Sequence, residues 1–297
     1  VVSSWTHAAI PRISPPMTLA GRAFTKMHGL GNDFAVLDGR AAPVVLDQKT
    51  VRALAHRRRG VGCDQLIVVE PPASADADAF MRIHNADGGE IAACGNATRC
   101  VARLLMAETG RAAVTLETRA GLRHATHAGE GRVGVDMGAA ATAWDAIPLA
   151  EAGDTLHLDL DIPGVPPVAC VNMGNPHAVA FVDDVAAVPL DELGPRIERH
   201  PLFPARANAS FVQVVDHGHL RLRVWERGAG ITLACGTAAC AACVAGVRRG
   251  LTERAVTVTL DGGDLDLVWR AEDGHVTKSG PAAVSFTGTV RDGILSP

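Results

Sequence analysis

Apolar positions along this chain follow two periodicities, and the segments they mark come in a repeated order. "FMRIH" (Phe80 to His84) and "LRLRVWE" (Leu220 to Glu226) alternate or run apolar, as strands do. "AAVTLETRAG", "GRVGVDMG", "AVTVTLDG", "DLDLVWRA" and "AAVSFTGTV" read the same way. Past "FMRIH", Val101, Leu104 and Leu105 keep a helical spacing that Gly110 stops. Past "LRLRVWE", Ala238 to Val247 is small and apolar nearly all round, closed by Arg248-Arg249-Gly250. A helix without a polar face is a buried one. Shorter helices are expected over Gln48 to Arg59 and near Asp191 to Arg199.

The order strand, Gly-containing turn, cysteine-glycine segment, helix is written twice. Laying "MRIHNADGGEIAACGNA" (Met81 to Ala97) over "LRVWERGAGITLACGTA" (Leu222 to Ala238) pairs Arg82 with Arg223 and Gly89 with Gly230. Ala93-Cys94-Gly95 then meets Ala234-Cys235-Gly236, and Ala97 meets Ala238, without a gap. Upstream, "GNDFAV" (Gly31 to Val36) matches "GNPHAV" (Gly174 to Val179) at nearly the same offset. Two matched blocks in one order predict a duplicated domain and not a short-period solenoid. The expected fold is α/β (α+β), with a helix through the middle of each sheet and a cysteine at each helix N-terminus. The join falls around "GAAATAWDAIP" (Gly138 to Pro148).

Composition narrows the class. The 297 residues leave room for two domains, and 47% hydrophobic with 20% charged residues is the balance of a globular protein with a real core. A formal net charge of −4 argues against a nucleic-acid binder. The one dense basic run, His56 to Arg59 before Gly60, reads as cations at a helix C-terminus. No apolar run is long enough to span a bilayer. The opening "VVSSWTHAAIPRISPPMTLAG" lacks the charged start and apolar middle of a secretory signal. Val1 to about Leu19 reads as a loose extension, with Met17 as a natural alternative start. Seven cysteines without dense, regular spacing suggest a reduced, cytoplasmic protein.

Those cysteines can be core residues, metal ligands or nucleophilic thiols. For Cys63, Cys100, Cys170, Cys240 and Cys243 the core reading is the plain one. Cys240 and Cys243 have the spacing of a zinc or redox pair, but on an apolar helix that neither begins. Cys94 and Cys235 differ because they are duplicated. A helix start lowers a thiol's pKa and offers unpaired N–H donors to an anion. If the halves face each other, two thiols flank one small anionic ligand. One thiolate removes a proton from carbon and the opposite thiol returns one to the other face. That inverts a stereocentre without metal or cofactor, and the helix N-termini stabilise charge on a carboxylate. "HGLGND" lacks the third glycine and the strand–turn–helix setting of a dinucleotide site, and "HGH" (His217 to His219) reads as a polar loop.

Four motifs resemble the diaminopimelate epimerase family: "FTKMHGLGNDF" (Phe24 to Phe34), "NADGGEIAACGNATRC" (Asn85 to Cys100), "MGNPHAV" (Met173 to Val179) and "ERGAGITLACGTAAC" (Glu226 to Cys240). They run in the family's order from about residue 23 to about residue 295. The resemblance implies two pseudo-symmetric domains, each a mixed sheet curled around a central helix, with the active site between them. It places an extension over 1–22, a first domain over 23–139 and a second over 140–282, with a C-terminal strand (about 283–297) returning to the first. The implied reaction interconverts LL- and meso-2,6-diaminopimelate, feeding lysine and peptidoglycan precursor synthesis, with no cofactor and no metal. By the resemblance Cys94 and Cys235 are the acid/base thiols, Cys235 accepting from the LL isomer. Asn32, Gln65, Asn85, Asn175, Asn208, Glu226 and Arg227 match substrate-binding positions, and Gly95-Asn96 and Gly236-Thr237 the anion-binding turns. His177 and Glu226 are candidates for tuning the thiols. The expected partner is the small-molecule substrate alone, with no nucleic acid or membrane, and a homodimer is left open.

The chain departs from the family's pattern at Gly230-Ile231-Thr232, more often Gly-Glu-Thr, and at Ala97 and Ala238, where glycine is frequent. Rival readings are another two-thiol isomerase such as a proline racemase or hydroxyproline epimerase, a thiol redox switch, and an inactive binding module.

Overall fold

The computed structural model describes residues 19–294. Most of the expected extension, Met17 included, therefore lies outside the described residues. The first half of the chain runs β1 (Ala23–Gly29), β2 (Asn32–Asp38), α1 (Gln48–Ala55), β3 (Gln65–Glu70), β4 (Ala79–Asn85), β5 (Glu90–Ile91), α2 (Gly95–Thr109), β6 (Ala113–Thr118), β7 (Gly121–His127) and β8 (Arg132–Ala139). The second runs β9 (Val168–Asn172), β10 (Pro176–Phe181), α3 (Leu190–Glu198), β11 (Asn208–Asp216), β12 (His219–Glu226), β13 (Gly230–Ile231), α4 (Gly236–Arg248), β14 (Ala255–Leu260), β15 (Gly263–Trp269) and β16 (His275–Pro281). A last strand, β17 (Ala283–Thr289), follows.

Pairing repeats with the same grammar as the sequence. In the first half β1–β2 is antiparallel, β2–β3 parallel, β3–β4 antiparallel, β4–β6 parallel, and β6–β7 and β7–β8 antiparallel. From β9 to β16 the second half repeats that series step for step. The fold is a duplicated α/β unit. Its halves join edge to edge where the equivalent strands β8 and β16 pair antiparallel, Val135 opposite Lys278. Strand β17 runs back to β1, with Ala23 opposite Thr289.

Each half wraps its sheet around one helix because that helix has an apolar surface to hide. Val101, Ala102, Leu105 and Met106 of α2 pack with Met27, Phe34, Ile83 and Leu116. In α4, Ala238 to Gly246 are all buried, which matches an almost wholly apolar helix. Helix α2 stops at Gly110, whose left-handed φ of 70° lets its N–H return to the Met106 carbonyl. Helix α1 starts on Asp47, whose carboxylate accepts from the Thr50 N–H, a cap worth about 1 kcal/mol. It ends at Ala55, short of the expected Arg59, because His56 is extended and frees Arg57 for another use.

The β1–β2 connection ties the halves together. Leu30 and Gly31 both have positive φ, 57° and 84°, the conformation of a two-residue type I′ hairpin turn. For leucine the left-handed region costs about 1–2 kcal/mol. Its side chain offsets that cost by entering the core around α4, in the other half.

Candidate active site

Cys94 and Cys235 are the N-cap residues of α2 and α4. Both line one cavity of about 670 Å³, shared with residues of each half. Cys94 is half-buried and Cys235 buried, and all seven cysteines are free. Burial pushes both thiols up, and their surroundings then diverge. At Cys94 the Ala97 and Asn96 N–H groups, Lys278 and Arg99 all pull toward the thiolate. At Cys235 the Glu226 carboxylate opposes ionisation, while the Thr237 hydroxyl and the Ala238 N–H favour it. Thr237 Oγ1 lies 3.5 Å from the Cys235 sulfur.

The polar residues singled out in the sequence fall into three groups. Asn32, Gln65, Gly95, Asn96, Asn175, Glu226, Gly236 and Thr237 line the cavity. Asn32 Oδ1 accepts from Asn96 Nδ2 at 3.2 Å and faces the Cys94 sulfur at 3.8 Å. Glu226 accepts from the Thr232 hydroxyl at 2.5 Å. Asn85 and Asn208 stand behind the wall. Asn85 accepts from Gln65 Nε2 at 3.0 Å, and Asn208 bridges the Pro176 carbonyl and the Arg227 N–H at 3.1 and 2.9 Å. Arg227 is exposed and donates to the Ala205 carbonyl at 2.8 Å, outside the cavity lining.

His177 is fully buried, 3.0 Å from Asn175 Oδ1. Burial, aided by Arg227, pushes its pKa down to about 3. It is a neutral imidazole that props Asn175, and it brings no charge to the thiols. Glu226 is the charged neighbour that acts on Cys235.

Three residues the motifs did not flag shape the same site. Arg57 lines the cavity and holds Asp33 through two bonds of 3.0 and 2.8 Å and Asp64 at 2.5 Å. Asp64 in turn accepts from Asn32 Nδ2 at 3.0 Å. Burial raises the Asp33 carboxyl, but Arg57 and Lys26 outweigh it and hold it well below the usual range. The basic run is thus not only a helix end; one of its arginines fixes Asn32. Arg99, fully buried on α2, donates Nε to the Pro281 carbonyl at 3.3 Å, and neither terminal nitrogen has a hydrogen-bond partner among the described residues.

The third is Lys278. It sits on β16 at 1% exposure and lines the cavity. Burial, with Arg99 nearby, pushes its ammonium down to about 8, while Cys240, Cys94 and Cys235 pull it back up. A Cβ on Gly95 would lie 2.6 Å from Lys278 Nζ, and one on Gly236 would collide with it as well. These glycines therefore admit the ammonium of the chain's own lysine between the two helix starts. Overlaying β16 on β8 would have exposed it, since Lys278 takes the place that Val135 holds in the first copy.

Comparison with known proteins begins with the fold. A protein described as a probable proline racemase from Agrobacterium radiobacter, solved with bound carbonate, has a TM-score of 0.66 at 19% identity and covers 91% of this chain and 93% of its own. A predicted epimerase from Pseudomonas aeruginosa has a TM-score of 0.63 at 21% identity, covering 91% of this chain and 99% of its own. The architecture is therefore that of a fold class whose solved members include proteins named racemase and epimerase. Within that class the sequence is specific. The family model described as diaminopimelate epimerase matches residues 24–143 and 169–285. Proteins named diaminopimelate epimerase from Rhodospirillum centenum and Acidiphilium cryptum are 54% and 52% identical, covering 92% and 94% of this chain and 94% and 99% of their own. The chain belongs to the diaminopimelate epimerase family.

Proposed function

We propose that this protein interconverts LL- and meso-2,6-diaminopimelate by proton transfer between Cys94 and Cys235. The observation that carries the reading is the equivalence of the two thiols: each caps a central helix, and both border one cavity. A substrate α-carbon held between them presents one face to each sulfur. The thiolate takes the α-proton, and the electron pair moves onto the adjacent carboxylate. The opposite thiol then protonates the other face of the carbon. Turnover leaves the first sulfur protonated and the second ionised, so the protein is reset for the reverse direction.

Charge and exposure support Cys94 as the thiolate of the resting protein. It is the less buried of the two, and cations favour its ionisation while Glu226 holds the proton on Cys235. With the roles implied by the family resemblance, the form carrying the Cys235 thiolate is the one that takes the LL isomer. The first turns of α2 and α4 offer N–H donors to the reacting carboxylate. Asn32, Asn96, Asn175, Glu226 and Thr237 supply polar contacts around it. Arg227 reaches the distal carboxylate by exchanging its Ala205 partner for the ligand. Asn85, Asn208 and His177 act through Gln65, the Arg227 backbone and Asn175.

The setting we propose is the cytoplasm of a cell making lysine and peptidoglycan precursor, with the small-molecule substrate as ligand and neither nucleic acid nor membrane as partner. Seven free thiols and a net charge of −4 support it. Among the described residues no helix is long and apolar enough to cross a membrane. A homodimer is compatible with this reading.

The test is proton NMR of LL-diaminopimelate in D2O under reductant. Deuterium should enter the α-position together with meso product. Cys94→Ala and Cys235→Ala should each lose on the order of a hundredfold or more of the epimerisation rate. No α-exchange by the reduced wild type would sink the assignment, and proline is the next substrate to try.

A further inference from the structure

A lysine buried opposite a valine is out of place unless its charge is used. Val135 and Lys278 face each other across the β8–β16 seam, in equivalent places of the two halves. Both are buried, at 0% and 1% exposure. Long cationic side chains are almost never fully buried without a partner. Among the described residues, Lys278 has no ion pair or side-chain hydrogen bond. Its sheet neighbours Val135 and Leu267 are apolar. The titratable groups around its ammonium come from the two central helices: Cys94 and Arg99 from α2, Cys235 and Cys240 from α4. None of these strongest neighbours is a carboxylate, and Glu226 is the carboxylate that shares the cavity with it. The anions of the protein that act on this cation from the helix starts are the thiolates of Cys94 and Cys235, and Gly95 and Gly236 leave the space its ammonium needs there.

We propose that Lys278 is a positioning residue for the reaction, its ammonium wedged between the starts of α2 and α4 to stabilise the site's one thiolate, on Cys94 or on Cys235. The proposal rests on the two-thiol reading above. A single cation placed between the helices serves both directions of a reversible epimerisation, because the negative charge moves from one sulfur to the other while the ammonium stays. Arg99, on the same helix as Cys94, supplies a second cation from one side only. Cys240 is the remaining thiol nearby, deep in α4, where burial pushes it up to about 11.

The experiment replaces Lys278 with methionine, which has a similar length and no charge, and with glutamine as a second neutral variant. Thiolate is the form that reacts with iodoacetamide, so alkylation of Cys94 and of Cys235 is followed against pH by peptide mass spectrometry in the full chain. Neutral variants should raise the alkylation midpoint of at least one of the two thiols by about one to three pH units. They should also lower kcat about tenfold or more, move the acid limb of the rate profile upward, and leave KM within about twofold. A folded variant with both midpoints unchanged overturns the proposal. So does a variant whose KM rises while kcat holds, which would make Lys278 a substrate ligand. Alkylation needs no substrate, so a wild type inactive on diaminopimelate would sink the assigned reaction and leave the charge placement readable.

Discussion

Glu226 sits where one unit of charge decides the state of a thiol. Its carboxylate is hydrogen-bonded to Thr232 and bears on Cys235 both by charge and by hydrogen bond, in each case holding the proton on sulfur. Glu226→Gln keeps the shape and removes the charge. Cys235 should then ionise at lower pH, and its iodoacetamide alkylation at neutral pH should speed up by about tenfold in a Cys94→Ala background. Unchanged alkylation would mean that burial alone sets this thiol. Cys94 and Cys235 were legible in the sequence because the repeat marks them. Lys278 was not, because a single lysine in "HVTKSGP" reads as a surface residue until its strand is known to face inward. Arg57 was hidden in a basic run because its partners, Asp33 and Asp64, are brought to it by the fold and not by the helix pattern.

At the scale of elements, the two helices that begin on cysteine follow from apolar periodicity and a glycine stop. The β1–β2 turn shows tertiary packing overriding local preference. A leucine accepts a left-handed backbone because its side chain fills the core of the other half. Leu30→Ala should cost about 2–4 kcal/mol, read by urea denaturation. A loss under about 0.5 kcal/mol would show that the turn does not tie the halves. Strand β16 was among the elements the pattern did not mark, as were β1 to β3 and β9 to β11. Its inward positions carry Val276, Lys278 and Gly280, so the apolar alternation that marks strands such as β4 and β12 is broken at the buried lysine.

For the whole molecule, duplication explains both the fold and the chemistry. One unit supplies a thiol at a helix start, and two units joined through β8 and β16 bring two such thiols to one cavity. The repeat was readable from two matched blocks in one order, whereas the seam between β8 and β16 was not, because strand partners in sheets are set by long-range packing. The pairing of β17 with β1 makes a further prediction. A chain ending after Pro281 leaves the outer edge of β1 unpaired, with its N–H and C=O groups open to other chains. Such a chain should scatter light at concentrations where the full chain stays clear, and equal clarity would show that β17 is dispensable.

That same pairing sets an order on how the protein comes into being. The strand that begins the described fold pairs early with β2 but meets its second partner only after about 260 further residues are made, because Ala23 lies against Thr289. At ordinary rates of synthesis the wait is on the order of ten to fifty seconds. Through that interval the first half is present with one flank uncovered, a natural point for chaperones to act. Among the described residues, the last strand made is the one that closes the first half.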